Sequence, residues 1–413
     1  MDNKVKILAY MGPIPKNWND FREKDYVNDE YMTDEQYGYL KDAGFTGVIA
    51  LMERTEEHTR NGLALNDKYG LEYWIRDEIN WDINYDPSIF ERKKDFYKEC
   101  EKHPSFAGIF ITDEPDCSQY PKLRALKDGF DKLFNNKKHG FYVNLLPTYA
   151  NDVTQLGAPY PEYIQQYIDI VNPDHVCFDH YPFEKKLIDA DKMVYEDYTR
   201  PDYFYNLDVV AKACDKAGKE MWSFVQAKNY TKRKKDLTYE DLSFQIFVNL
   251  AYGAKAIVYY TYWSWPGLLP NEDLSKHVTS LISPKGYRLE RYFHAKDIHQ
   301  DVELFSEEFM KYKHFDTYIV QDQGKDVYFK KVCVKQSEKF IGSDALLVGE
   351  FQSADGKKAY MVVNGTDTYT DVRNTVTVNL DGGVYYLGKN KVDFDGSFTV
   401  TLKSGQGMFI TEK

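Results

Sequence analysis

The sequence predicts an α/β fold: a (β/α)8 TIM barrel over residues 1–315, followed by an antiparallel β-sandwich over residues 316–413. Three observations carry this. Eight short apolar runs begin about every 35 residues, and each gap has room for a crossover helix. The runs are apolar throughout rather than alternating, as parallel strands covered on both faces must be. After about residue 315 the runs become shorter, β-rich and separated by Asp-Gly pairs.

The eight runs are Ile7–Met11, Phe45–Leu51, Leu71–Ile75, Phe106–Thr112, Gly140–Leu145, His175–Phe178, Met221–Val225 and Ala254–Tyr260. Helix signals fall between them. Thr33-Asp34-Glu35-Gln36 reads as a capping box opening the first helix. Leu123, Leu126, Phe130, Leu133 and Phe134 share one helical face. Thr238 to Asp241 is a second, weaker cap, and Tyr287 to about Lys313 reads as the last barrel helix. In the C-terminal part, Asp344–Ser353, Ala359–Val363, Thr375–Leu380, Val384–Leu387 and Phe398–Leu402 read as strands. Asp355-Gly356, Asp381-Gly382 and Asp395-Gly396 read as hairpin turns. An open nucleotide-binding sheet would need a glycine-rich phosphate loop, and neither GxGxxG nor GxxxxGK[ST] occurs.

Composition narrows the function. With 53 Lys+Arg against 65 Asp+Glu the formal charge is −12, which disfavours nucleic acid and anionic membranes as partners. No run of about 18 apolar residues is present to span a bilayer. MDNKVKILAYMGP has no separate apolar core, so no signal peptide is expected; the compartment, cytoplasmic or exported, stays open, as does the oligomeric state. Tyr (35) outnumbers Phe (25), a balance that suits a surface needing flat apolar faces with polar tips. Five dispersed cysteines without a CxxC pair speak against a disulfide framework or a zinc site and read as buried small hydrophobes. No metal and no cofactor are expected.

Barrel active sites lie at the carboxyl ends of the strands. Those ends carry Arg76-Asp77-Glu78, Thr112-Asp113-Glu114-Pro115, Asn144, Asp179-His180-Tyr181, Gln226, and Tyr260 through Trp265. Acids, an amide and indoles on adjacent strand ends are more than loop polarity requires. Asp113-Glu114 is the sharpest feature, because it emerges directly from the apolar run Phe106–Thr112. Partial burial and an adjacent like charge both raise a carboxyl pKa and make a general acid near neutral pH; the bland alternative is an acid pair favoured by a helix N-terminus. Trp263 and Trp265 read as a platform for a sugar ring. His180 lacks a second histidine at ligand spacing and reads as structural.

Gly108-Ile-Phe-Ile-Thr-Asp-Glu-Pro115 resembles the fourth-strand motif of barrel glycoside hydrolases, where Asn-Glu-Pro or Asp-Glu-Pro holds the acid/base glutamate. The eighth-strand aromatics and the trailing β-sandwich are similar to that superfamily. Trp222 to Ala227, Leu250 to Ala256 and Tyr259 to Tyr262 resemble uncharacterised members from carbohydrate-degrading bacteria. The resemblance covers most of the chain and implies a carbohydrate substrate, cleavage of O-glycosidic bonds and Glu114 as proton donor. With such a substrate, the strand-end residues Asp77, Asn144, Tyr181, Gln226, Tyr262, Trp263 and Trp265 are the expected substrate contacts. Two departures matter: Asp113 stands where the best-known clan has Asn, and Gln226 where it has a nucleophilic Glu. Three readings follow. Asp113 orients a substrate 2-acetamido group that attacks in place of an enzyme nucleophile, as in family 20 and family 123 N-acetylhexosaminidases. Alternatively Asp179, or Asp77/Glu78, supplies the second carboxylate, its separation from Glu114 setting the stereochemistry. Otherwise the site binds sugar without cleaving it.

Overall fold

The computed structural model describes residues 3–16, 30–81, 84–135, 138–189, 194–228, 236–264, 280–320, 333–366 and 368–413. Ten strands come first: β1 (Lys6–Tyr10), β2 (Gly47–Ile49), β3 (Glu72–Arg76), β4 (Phe106–Asp113), β5 (Gly140–Leu145), β6 (His175–Phe178), β7 (Phe183–Asp189), β8 (Val194–Thr199), β9 (Glu220–Gln226) and β10 (Ala256–Tyr260). Eight of them close a barrel in the order β1-β10-β9-β6-β5-β4-β3-β2. Each predicted run overlaps one barrel strand, and Gly140–Leu145 and His175–Phe178 match end to end. The periodicity did not announce β7 and β8, an antiparallel hairpin inserted after the sixth barrel strand.

The helices are α1 (Asp34–Asp42), α2 (Glu56–Tyr69), α3 (Ile89–Arg92), α4 (Lys94–Cys100), α5 (Tyr120–Leu133), α6 (Tyr160–Val171), α7 (Tyr203–Ala217), α8 (Tyr239–Ala251) and α9 (Glu290–Phe309). Thr33 caps α1, but Gln36 sends its side chain to the Gly286 carbonyl, so only half of the expected box forms. The weaker signal is the complete one: Thr238 and Asp241 bond reciprocally at the start of α8.

The chain forms two compact units. One is Lys6–Asp179 with Val258–Tyr292. Within it the barrel interior is filled by aromatic side chains in layers. Trp74 packs on Tyr142 and His175 (centroids 5.7 and 6.0 Å), and Phe110 lies between Tyr10 and Tyr142 (5.8 and 5.2 Å). Gly140 is required there, because a Cβ would stand 2.3 Å from the Trp74 ring.

The other unit comprises Met1–Val5, His180–Ile257 and Phe293–Lys413. Its C-terminal strands are β11 (Tyr312–Val320), β12 (Val334–Lys335), β13 (Phe340–Gly342), β14 (Leu346–Ser353), β15 (Lys358–Asn364), β16 (Asn374–Val378), β17 (Gly382–Leu387), β18 (Asn390–Asp395), β19 (Phe398–Leu402) and β20 (Gly407–Glu412). They form a seven-stranded sheet, β12-β11-β14-β15-β20-β17-β18, and a three-stranded sheet, β13-β16-β19. All their pairings are antiparallel except β11 with β12. Phe340, Val376, Val378 and Leu402 of the small sheet share one buried cluster with Leu346, Val362, Met408 and Ile410 of the large one. Asp355-Gly356 is a hairpin turn, as expected. Asp381-Gly382 and Asp395-Gly396 are not: each joins strands of different sheets, so these glycines serve crossovers instead. Among the cysteines, Cys100, Cys177 and Cys214 are buried as expected, whereas Cys117 is half-buried and Cys333 exposed.

Candidate functional site

The site grows from the end of β4. Phe110 pairs with Tyr142 and Asp113 with Asn144, so three residues of β4 run against two of β5, with the register shift between Phe110 and Thr112. Tyr142 and Asn144 share one face of β5. The extra residue in β4 therefore puts Asp113 on the same face as Phe110, which strict alternation forbids. Bulges re-aim side chains in this way.

Next in the chain, Glu114 has φ 54, a left-handed conformation that costs a residue with a Cβ about 1 kcal/mol or more. Its surroundings hold it there. The Glu114 N–H donates to the Asn144 carbonyl (2.9 Å). The Tyr163 hydroxyl donates to the Pro115 carbonyl (2.8 Å) and accepts from the Leu146 N–H (3.2 Å), tying the chain after Glu114 to the chain after β5. Asp116 and Gln119 close a capping box, and the same Gln119 donates to the Tyr85 hydroxyl (3.1 Å), itself bonded to Thr112 (2.9 Å).

Three carboxyl groups meet around one amide. The Asn144 Nδ2 group donates to Asp113 Oδ1 (3.0 Å) and to Asp179 Oδ1 (3.1 Å), and Asn144 Oδ1 is buried with no partner among the described residues. Asp179 is buried, whereas Asp113 and Glu114 keep exposed surface, standing where protein displaces part of their hydration. Desolvation pushes the Glu114 carboxyl up to about 7, and the Asp113 charge adds to the effect. Asp179 is pushed well above the usual carboxylate range, by burial first and then by the charges of Glu114 and Asp113. Asp113 also rises through desolvation, but the Asn144 bond and the Arg76 guanidinium oppose the rise. Tyr10, stacked on Tyr260 (centroids 5.6 Å, 24° between planes), lies within electrostatic reach of Asp113 and Asp179.

Of the remaining residues expected at the site, several are turned to other work. Both oxygens of Asp77 accept from Lys93 (2.6 and 2.8 Å), and one also accepts from the Tyr97 hydroxyl (2.8 Å), which pins α4 to the end of β3. Glu78 opens a short helical turn and lies 3.4 Å from Arg92. Tyr262 is fully buried, with its ring on Phe45 (5.1 Å) and its hydroxyl among Tyr37, Tyr39, Arg288 and Tyr292. It faces the helix layer, although the backbone there still bonds to the end of β1, the Tyr262 N–H donating to the Tyr10 carbonyl (2.9 Å). Trp263 is also fully buried, against Tyr31 (5.0 Å), and presents no open ring face. Trp265 lies outside the described residues. Tyr181 and Gln226 belong to the other compact unit. Tyr181 is buried; Gln226 spends both ends of its amide on the Phe183 backbone (3.1 and 3.2 Å). His180 is buried there too, 3.4 Å from Asp202, and its pKa is lowered by desolvation.

Sequence reasoning named Arg76 and Tyr260 among the strand ends without giving them a role, and did not name Tyr10, Tyr85 or Tyr163 as site residues. Tyr10 and Arg76 end barrel strands, a signal within reach; Tyr85 and Tyr163 act through loops and a helix, where spacing is silent. Among the described residues no group of three His, Cys, Asp or Glu side chains is placed to hold a metal ion, and no helix is long and apolar enough to cross a membrane.

No family model matches this sequence, and no curated protein matches it. Solved structures do resemble it in fold. A β-galactosidase from Bacillus circulans sp. alkalophilus superposes with a TM-score of 0.59 at 8% identity, covering 100% of this chain and 99% of that one. A structure described as a glycoside hydrolase gives 0.55 at 11% identity over 99% and 93%. A family 5 glycoside hydrolase from Bacteroides vulgatus gives 0.52 at 10% identity over 98% and 89%. At such identities the likeness establishes the fold alone: an eight-stranded α/β barrel with additional antiparallel sheets.

Proposed function

We propose that the chain is a glycoside hydrolase that cleaves O-glycosidic bonds with Glu114 as general acid/base, acting on substrates bearing a 2-acetamido group. In this reading residues 1–315 carry the chemistry and residues 316–413 form an accessory β domain. The observation that supports it best is the Asp113–Asn144–Asp179 cluster beside a Glu114 whose carboxyl titrates near 7. That the solved structures sharing this fold are glycoside hydrolases adds to it.

Glu114 donates its proton to the glycosidic oxygen as the bond from that oxygen to C1 breaks. The acetamido carbonyl oxygen attacks C1, giving a cyclic intermediate without an enzyme nucleophile. Asp113, the more accessible and more readily ionised aspartate, accepts a hydrogen bond from the acetamido N–H and offsets the positive charge forming on that group. Glu114, now a carboxylate, removes a proton from the water that opens the ring at C1. Asp179 is the weaker candidate for the second carboxylate, because burial disfavours the charged form that such a role needs. Tyr262, fully buried in the helix layer, is out of reach of the acetamido group, and Tyr10 or Tyr260 would donate a hydrogen bond to it.

Assay on natural oligosaccharides and nitrophenyl glycosides, with and without a 2-acetamido group, tests the reading. Hydrolysis confined to 2-acetamido substrates and lost in Glu114→Gln is the expected result. Efficient cleavage of substrates lacking that group overturns substrate assistance. Tight binding of a glycan with no turnover of any overturns catalysis. The second result would favour a sugar-binding protein, a reading that draws on Gln226, whose position lacks the carboxylate of the best-known clan.

A further inference from the structure

Asn144 lies near the end of β5, the middle one of three neighbouring strands, β4, β5 and β6. Asp113 is its register partner on one side, and Asp179 follows the β6 residue that pairs with Leu145 on the other. This one residue touches all three acids. Its Nδ2 group donates to Asp113 (3.0 Å) and to Asp179 (3.1 Å), one proton for each, and its backbone carbonyl accepts from the Glu114 N–H (2.9 Å).

The amide is turned at the expense of its own oxygen. Asn144 is 3% exposed, and its Oδ1 is covered without a partner among the described residues. A buried acceptor left unmet has lost its hydration for nothing, and native interiors hold few of them. The opposite orientation would set that oxygen against two carboxyl groups and leave both N–H groups unmet instead. The two acids therefore dictate how the amide lies. Its neutrality matters as well. An Arg or Lys in this place could bridge the same acids, but its full charge would hold both as carboxylates. The amide gives each a hydrogen bond and no charge. Burial raises both aspartates, and the Asn144 bond opposes the rise in each.

We propose that Asn144 is a positioning residue and not a substrate contact: it locks the carboxyl groups of Asp113 and Asp179 and the Glu114 peptide into one unit, and so keeps Asp113 in place as a hydrogen-bond acceptor for the substrate. With both protons engaged and the oxygen covered, the side chain has no group left for a ligand. The catalytic part of this proposal rests on the glycosidase reading; the bridge between the acids does not.

Two substitutions test it. Asn144→Leu removes both donors at similar volume. Asn144→Ser keeps one O–H donor, which can serve one acid but not two, and carries the test if the leucine variant fails to fold. Steady-state kinetics against pH on a nitrophenyl 2-acetamido glycoside give the first readout, with thermal melts alongside. NMR titration of the aspartate carboxyls gives the second and needs no turnover. We expect kcat to fall at least about 30-fold in Asn144→Leu and less in Asn144→Ser, with KM within about threefold of the parent. The acid limb of kcat/KM, which follows ionisation of Asp113, should move to higher pH, and the NMR midpoints of both aspartates should rise with it. A rise in KM at unchanged kcat would mark a substrate contact and overturn the proposal. So would a loss of kcat with the acid limb and both midpoints unmoved, which would mark a brace of the fold. Where the parent cleaves no glycoside, the glycosidase reading falls and NMR decides the rest: raised midpoints support the bridge, and unmoved ones overturn it too.

Discussion

Glu114 holds a backbone conformation that glycine favours, yet it is a carboxylic acid flanked by a second one. Three bonds at the neighbouring peptides offset that cost, so the position is selected for its side chain rather than for an easy turn. Its carboxyl titrates near 7 because protein has displaced water around it. As the acid form performs the first step, kcat/KM is expected to fall as pH rises above about 7, and a pH–rate profile checks this. Stability follows the same group. The folded pKa exceeds the unfolded one, so the contribution is complete below about 4.5 and disappears as pH rises through 7. Glu114→Gln should therefore melt higher than the parent at pH 8 by on the order of 1 kcal/mol, after allowance for the solvent that reaches this exposed group. Equal melting at pH 8 would discredit the raised pKa. The two aspartates should part company. Asp113→Asn removes the carboxyl proposed to hold the acetamido N–H and should cost about 100-fold or more in kcat. Asp179→Asn replaces a buried carboxyl, whose charged form burial disfavours, by its isostere and should stay within about tenfold of the parent. The reverse order would transfer the second role to Asp179. Asp113, Glu114, Asn144 and Asp179 were all legible in the sequence, because each emerges abruptly at the end of an apolar strand. Tyr262 and Trp263 were not: past Tyr260 the direction of a side chain depends on the path of the backbone, and periodicity carries no information about that path.

At the scale of elements, the eight parallel strands were legible because burial on both faces leaves an unbroken apolar run. The bulge in β4 was not, although it decides which way Asp113 points; an extra residue inside Gly-Ile-Phe-Ile-Thr changes no hydrophobic pattern. Capping strength was misjudged for a related reason. Gln36 had a better partner in the carbonyl of Gly286, far along the chain, than in its own helix start. Tyr163 of α6 shows how a helix can act on the site from outside the barrel. Its hydroxyl bonds the Pro115 carbonyl and the Leu146 N–H, and both lose that partner in Tyr163→Phe. That should cost about 1–3 kcal/mol of stability. Because the peptide released follows Glu114, kcat should fall well before KM rises. A variant destabilised to this degree but unchanged in kcat would show that Tyr163 braces the fold and does not position Glu114.

At the scale of the molecule, the change in character after residue 315 was legible from strand length and Asp-Gly punctuation. How the C-terminal sheet attaches to its own compact unit was not. It lies on α8 at backbone distance: a Cβ on Gly349 of β14 would stand 2.0 Å from the Ala251 carbonyl, and one on Gly407 of β20 would stand 2.4 Å from the Phe247 ring. The Thr317 hydroxyl donates to the same Ala251 carbonyl (3.0 Å), the Ser243 hydroxyl to the Gly405 carbonyl (3.0 Å), and the Thr368 hydroxyl to Asp241 (2.6 Å). The other face of α8 holds the end of β9. Gln245 accepts from the Gln226 N–H (2.6 Å) and donates to the Gln226 carbonyl (3.1 Å), so sheet, helix and the end of β9 form one hydrogen-bonded stack. Close approach of this kind leaves no period in a sequence; it leaves only a glycine inside a strand. Gly349→Val should then fail to fold or lose more than about 4 kcal/mol, since neither backbone nor carbonyl can give way. Gly396→Ala is the comparison. Its φ is +86, but no atom lies within 4 Å of the added carbon, so it should cost only about 1 kcal/mol of backbone strain. Denaturant melts of both, read by tryptophan fluorescence and by circular dichroism, decide the matter. If Gly349→Val melts within about 1 kcal/mol of Gly396→Ala, the sheet is a loosely attached accessory and the stack through Gln245 contributes nothing to holding β9.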